Sequence, residues 1–354
     1  MPSKARKTAA PNKQQPVAVD LFSGSGAVSA GLSPTFEIVA AVDNDLEACR
    51  TYRANHPKVR LFERDITRLT PKEIILAVPR AKGADLLVVC APCQPFSNQN
   101  RHKGGNDGRA GLVLQAARFA KALQPKLILF ENVPGLVGTT GVHDELGEAL
   151  TRVGYHFGRP RRLNAADLGV PQRRVRCVMF AARSPEAVER LTTARFSAPA
   201  SNVAQAIGHL PTLRSGETDP TDPMHHARVH SSIALRRLAA IPHDGGSRDS
   251  LPAALRLRCH EGKKGYPDVY GRMSWSDVAP TLTTGCTDIT RGRFAHPDQD
   301  RAITVREAAL LQSFPPGYTF CGSLKAIARQ IGNAVPPAMV AGMVPALVDA
   351  LKAA

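Results

Sequence analysis

The sequence predicts an α/β protein: a large Rossmann-like domain built on a mostly parallel sheet, joined by a smaller irregular domain. Three observations carry this. Residues 17–43 run strand, glycine turn, helix, strand, acid, the order of a Rossmann-like opening, with the acid about twenty residues after the glycines. Two apolar runs, Leu86–Val89 and Leu127–Phe130, read as buried parallel strands, and each delivers polar residues just past its end. From Arg183 to about Ala279 the periodicity dissolves into proline, glycine, serine and isolated charges. A chain of 354 residues is long enough for one large core and a second, smaller one.

Taken in order, residues 1–16 are polar and basic and form an arm. Lys4, Arg6, Lys7 and Lys13 there read either as phosphate contacts or as a solvated tail. Val17 to Phe22 is a strand that Gly24 and Gly26 turn into a helix ending near Leu32. Phe36 to Val42 is the next strand, stopped by Asp43-Asn44-Asp45, with a helix from about Leu46 to Asn55. Asp65-Ile66 follows another extended piece. Pro92 breaks the Leu86 strand and leaves Cys93 in the loop beyond its carboxyl end, where open α/β sheets keep their ligands. Residues 98–111 are rich in glycine, asparagine and positive charge, and read as a mobile surface loop or as a lid beside Cys93. Leu112 to Leu123 has helical periodicity, Val175 to Ala182 reads as a strand, and helices are expected at Val305 to Gln312 and Pro337 to Lys352. The expected domains are 17–183, an irregular domain at 184–300, and a segment at 301–354 that returns to the first.

Forty-six lysines and arginines against 30 acids give a formal charge of +16, which favours a polyanionic partner, nucleic acid ahead of an acidic membrane. No apolar run is expected to span a membrane, and the first residues do not resemble a secretory signal. Seven scattered cysteines read as reduced thiols in a cytoplasm. Cys90 and Cys93 make a C-x-x-C, but Cys90 ends a strand rather than starting a helix, and no second pair completes a zinc site. His225, His226 and His230 lie in a proline-bounded basic stretch and read as surface or phosphate-contacting histidines rather than metal ligands. A thiol and a carboxylate, Cys93 and Glu131, presented from two strand ends point to a nucleophile with an acid partner. Arg173, Arg174 and Arg176 by themselves would be a solvated basic run.

Six segments, in order, resemble the cytosine-5 DNA methyltransferase family of bacterial restriction-modification systems. They are Asp20-Leu21-Phe22-Ser23-Gly24-Ser25-Gly26, Pro92-Cys93-Gln94, Glu131-Asn132-Val133, Gln172-Arg173-Arg174-Val175-Arg176, the run from Thr304 to Pro315, and Gln330-Ile331-Gly332-Asn333-Ala334-Val335-Pro336-Pro337. The likeness covers roughly 17–182 and 280–345. It implies an S-adenosylmethionine-dependent methyltransferase domain with a mixed sheet and a target-recognition domain. Cys93 would add to carbon 6 of a flipped-out cytosine, with Glu131 at ring nitrogen 3, Arg176 at the ring carbonyl, and Arg174 supporting the loop or a phosphate. The cofactor would be held by Phe22, Ser23, Gly24, Gly26, Asp43 at the ribose, Asp65 and Ile66 at the adenine, Pro92, Leu112, Asn333 and Ala334. Ser97 and Arg109 would touch DNA, and no metal would be needed.

The resemblance further implies double-stranded DNA as partner, a functional pairing with a restriction endonuclease, no membrane, a monomer, and a cytoplasmic, nucleoid-associated place. An RNA cytosine-5 methyltransferase is the nearest rival, and the long 183–279 stretch argues for DNA. A binding module without catalysis is opposed by Cys93, Glu131 and the glycine turn together. A thiol-disulfide oxidoreductase would be tested by titrating Cys90.

Overall fold

The computed structural model describes residues 15–92, 111–137, 141–257 and 268–354. The chain opens with β1 (Val17–Leu21), α1 (Ala27–Leu32), β2 (Glu37–Asp43), α2 (Leu46–Asn55), β3 (Arg60–Glu63), α3 (Pro71–Ala77), β4 (Leu86–Val89), α4 (Gln115–Leu123), β5 (Leu127–Asn132), α5 (Val142–Arg152), β6 (His156–Phe157), β7 (Arg161–Asn164), β8 (Val175–Ala182) and α6 (Pro185–Thr193). Local chemistry sets several starts. Asp45 caps α2 by accepting from the amides of Glu47 and Ala48, and Thr70 with Glu73 closes a capping box at α3, with Pro71 in its first turn.

Among the described residues the main sheet has eight strands in the order β3-β2-β1-β4-β5-β8, with β6 and β7 both on the outer edge of β8. The first five are parallel, while β8 runs antiparallel to β5. Every residue of β4 and β5 is buried, which explains why these strands read as continuous apolar runs without alternation. One face packs Leu21, Leu87, Val89, Ile128 and Phe130 against Phe119, Leu123 and Leu146. The other packs Ala18, Leu86, Val88, Leu129 and Phe180 against α1, α6 and the last helix.

Beyond Phe196 the chain forms α7 (Val203–Ile207), a short hairpin of β9 (Thr218–Asp219) and β10 (Asp222–His226), α8 (Ser232–Ala239), and then mostly turns until α9 (Val305–Leu311), α10 (Leu324–Asn333) and α11 (Pro337–Ala350). With few ladders available, this lobe satisfies backbone carbonyls with a buried arginine. Arg272, fully enclosed, donates to the carbonyls of Leu238, Ile241, His296 and Gln299 and pairs with Asp300. Arg301 forks onto Glu307 at 2.7 and 2.8 Å, and Glu307 is also in the capping box of Thr304 that starts α9.

Two expectations shift. α6 starts just past the expected boundary at Arg183, yet its Ala187, Val188 and Leu191 share the core of β8 and α11. Phe196, beneath the Arg161 guanidinium, belongs to that core too. The stretch Leu324–Ala350 is apolar and long enough by composition to cross a membrane, contrary to the expectation that no run would be. In the fold it is two helices, α10 and α11, separated by Ala334-Val335-Pro336, and Met339, Val340, Met343 and Leu347 are spent on the core.

Candidate active site

The strand order reverses between β1 and β4: the chain leaves β1 toward β2 and β3, then returns to β4 and continues to β5 on the opposite side. The carboxyl ends at this switch point are the usual ligand position in such sheets. Two turns meet there, Phe22–Gly26 after β1 and Cys90–Pro92 after β4.

The first turn needs left-handed backbone at Phe22 (φ 60°), Gly24 (φ 52°) and Gly26 (φ 89°). The Ser23 amide donates to the Val42 carbonyl, and the Gly24 amide to Asp43 Oδ2 at 2.8 Å, while Asp43 Oδ1 accepts from the Asp45 amide. Asp43 thus pins the turn to the end of β2, and burial pushes its carboxyl above the usual range. A side chain at Gly24 would meet nothing within 4 Å, so that face of the turn is an open cradle. At Gly26 a Cβ would come within 2.8 Å of the His56 ring and the Tyr318 hydroxyl, so this glycine is required by its neighbours.

Glu131 is the last residue but one of β5 and Arg176 the second of β8; the antiparallel register pairs Glu131 with Val178, so Arg176, two residues before Val178, is its diagonal neighbour on the same face. Arg176 Nε stands 2.9 Å from Glu131 Oε1, with about a tenth of each side chain exposed. Burial raises the Glu131 carboxyl, opposed by the guanidinium groups of Arg176 and Arg174. Asn132, buried next to it, donates from Nδ2 to the Ala91 carbonyl at 3.1 Å and accepts the Val133 amide, tying the end of β5 to the turn that leads into Cys93. Burial pushes the Cys90 thiol well above its ordinary value, which keeps it a neutral packing group rather than a thiolate.

A buried joint closes the far side. Gln172 donates to Gln312 and accepts from the Leu282 amide at 3.0 Å, and Gln312 donates to the Ala334 carbonyl at 2.6 Å. Arg174 donates to the carbonyls of Leu282 and Gly332, both at 2.9 Å. Gly332 packs so tightly that a Cβ would lie 2.5 Å from Thr283 O and Thr284 N. Four separate sequence segments are knitted by amide and guanidinium groups, all buried.

The model of the C-5 cytosine-specific DNA methylase family matches residues 17–348. The chain belongs to this family. It is 37% identical over 331 residues to the Type II methylase M.HgiDII of Herpetosiphon aurantiacus, covering 91% of this chain and 92% of the relative. It is 33% identical over 328 residues to the Type II methyltransferase M1.HphI of Haemophilus parahaemolyticus, covering 90% and 83%. The fold resembles that of a putative DNA modification methyltransferase encoded within an Escherichia coli prophage, with a TM-score of 0.73 at 23% identity over 96% of this chain and 100% of that one. The protein is a cytosine-5 DNA methyltransferase with the Rossmann-like, mostly parallel sheet of that enzyme class.

In the methylase the named residues are distributed as follows. Glu131 and Arg176 come together. Arg174 is buried and donates to the carbonyls of Leu282 and Gly332, contacts that suit the expected support of the loop. Ser23 and Ala334 are buried, Leu112 is half-buried, and Asn333 is exposed at the end of α10. Asp65 Oδ1 accepts from the amide and hydroxyl of Thr67, and Ile66 is buried in the core with its carbonyl held by Arg118. Cys93, Ser97 and Arg109, together with the 98–110 lid residues, lie outside the described residues. The surface reading of the histidines is corrected for His225, which is fully buried with both ring nitrogens engaged, by Thr304 and the Pro211 carbonyl. His226 bonds Thr218, and His230 accepts from the Ala302 amide. Sequence reasoning missed Asn132, Gln172 and Gln312 as positioning groups. The available signal was an amide side chain amid apolar residues, which cannot be buried without partners.

Proposed function

We propose that this methylase transfers the methyl group of S-adenosylmethionine to carbon 5 of a cytosine flipped out of a specific duplex DNA sequence, through a covalent Cys93 adduct, as the modification partner of a restriction endonuclease. The observation that carries the reading is the buried Glu131–Arg176 pair at the carboxyl edge of the sheet, beside the turn leading into Cys93 and separated by β4 from the strand of the open Gly24 cradle. That cradle suits S-adenosylmethionine, with Phe22, Ser23, Gly24 and Gly26 forming the turn, and Asp43, Asp65, Asn333 and Ala334 would hold the cofactor there. When bound, this cofactor supplies an electrophilic methyl group.

Carbon 5 of cytosine is a weak nucleophile. Addition of the Cys93 thiolate to carbon 6 turns the ring into an enamine, and the electron density that moves to ring nitrogen 3 is met by the proton on Glu131. A carboxyl whose affinity for a proton is raised by burial suits that role. Arg176, beside it, donates to the ring carbonyl as charge develops. After methylation a base removes the proton at carbon 5, the ring expels Cys93 as thiolate, and Glu131 recovers its proton. Flipping the base costs a few kcal/mol, offset by these pocket contacts. The positive charge of +16 draws the duplex through its phosphates, and the irregular lobe reads base edges in the major groove. The enzyme acts as a monomer in the bacterial cytoplasm, at the nucleoid.

Bisulfite sequencing of DNA and of transfer RNA from cells expressing the wild type and Cys93→Ser tests this. Full protection of cytosine within one short sequence is expected for the wild type only. Protection confined to transfer RNA, or retained in Cys93→Ser, contradicts it.

A further inference from the structure

We infer that Tyr318, assisted by His56, is a positioning residue for the methyl donor: it sets the shape of the glycine turn from outside the Rossmann-like domain. The inference rests on the reading of that turn as the cofactor cradle.

Tyr318 lies between α9 and α10, far from the turn in sequence, yet its hydroxyl donates to the Ser25 carbonyl at 2.6 Å. A phenol has one proton, and the Ser25 carbonyl takes it. The His56 Nε2 next to it, 3.1 Å from the Gly26 carbonyl and 3.3 Å from the Tyr318 hydroxyl, must then carry a proton and donate to both. Burial lowers the pKa of His56, which fits a neutral ring in that tautomer. Two successive carbonyls of the turn are therefore held by two side chains, beside the Ser23–Val42 and Gly24–Asp43 bonds that tie it to β2.

The clamp is itself anchored. Asn55 exchanges two bonds with the Thr319 backbone, Thr51 accepts from the Cys321 amide, and the Tyr318 ring packs with Phe314 and Phe320 at 4.9 and 5.3 Å between centroids. One face of α2 is thus zipped to residues 318–321, and the absence of a side chain at Gly26 leaves room for both rings. Removing the Tyr318 hydroxyl leaves the Ser25 carbonyl buried without its donor and lets the turn relax.

Calorimetric titration of S-adenosylmethionine into the full chain without DNA tests this, paired with steady-state kinetics on unmethylated bacterial DNA. For Tyr318→Phe we expect Kd and the KM for S-adenosylmethionine to rise about five- to tenfold, with kcat within about twofold of the wild type. His56→Leu should weaken binding similarly, and His56→Gln, whose amide can donate in place of Nε2–H, should recover most of it. Affinities equal to the wild type in both Tyr318→Phe and His56→Leu would overturn the inference, as would a fall in kcat with KM unchanged. Should Tyr318→Phe not fold, the His56→Leu and His56→Gln comparison decides alone. Failure of the wild type to bind S-adenosylmethionine would instead overturn the cofactor reading.

Discussion

Asp20, in the Asp20-Leu21-Phe22 segment, has no exposed surface: Oδ2 accepts from Ser29 at 2.7 Å and Oδ1 has no partner among the described residues. Burial raises its pKa from 3.8 to about 7. Between those values the folded chain keeps a proton that the unfolded chain has released, so Asp20's contribution to stability falls as pH rises through that window, by at most about 1.4 kcal/mol per pH unit. Asp20→Asn does not titrate, so its melting temperature should gain on the wild type from about pH 5 to about pH 8. A gap that does not change with pH would contradict this. The two arginines of the Gln172–Arg176 segment should also part company. Arg174→Met strips donors from two buried carbonyls and should cost about 1–3 kcal/mol for each in thermal or urea unfolding, whereas Arg176→Met, which leaves buried Glu131 without its partner, should lower kcat as well as stability. Glu131→Gln should lower methyl transfer by about 10²–10⁴ and spare S-adenosylmethionine binding, as measured by labelled-methyl transfer and calorimetry. The place of Glu131 at the carboxyl end of a strand was legible because it stands just past the apolar run Leu127–Phe130. The partners of Arg174 were not legible, since Leu282 and Gly332 are brought to it only by the tertiary fold.

At the scale of elements, α11 packs on α1 through Gly31, where a Cβ would lie 2.5 Å from the Pro337 carbonyl and 2.8 Å from Val340 Cβ. Gly31→Ala should therefore destabilise the protein by about 1–3 kcal/mol, visible as a lower urea midpoint at unchanged m-value. Deleting the chain from Gln330 onward would also remove the α11 residues from the core and expose apolar surface, so loss of cofactor binding in such a truncation reports unfolding. Asn333→Ala, at an exposed position, is the cleaner probe of the cofactor pocket. The strands around the switch point were readable because buried parallel strands are continuous apolar runs. β6 and β7 were not, being two and four residues long and pairing only with β8, which arrives later in the chain. α8 and the hairpin were hidden among prolines and charges, where Arg272 rather than periodicity organises the chain.

For the whole molecule, parts of the expected 184–300 domain are packed into the catalytic lobe: α6 and Phe196 on the sheet, and Val203, Ile207, Met273, Ala279 and Leu282 in a core with Ala27 of α1 and with α9. Ala234, Leu238, Ile241, Leu251, Leu255, Val269 and Tyr270 form a separate core with Ile289, Ala295 and Ala302. Exchanging only Ser231 to Gly271 with a relative of different specificity should move methylation to the donor's site, whereas an active chimaera that keeps the original site would contradict the assignment of recognition to this lobe. The central claim, cytosine-5 methylation through Cys93, is tested most directly by mass spectrometry of the enzyme incubated with S-adenosylmethionine and DNA carrying 5-fluorocytosine in place of cytosine. Fluorine blocks the final elimination, so a covalent protein–DNA adduct should accumulate, and its digest should map to Cys93. An adduct that maps to Cys90, or one that still forms in Cys93→Ser, would contradict the account.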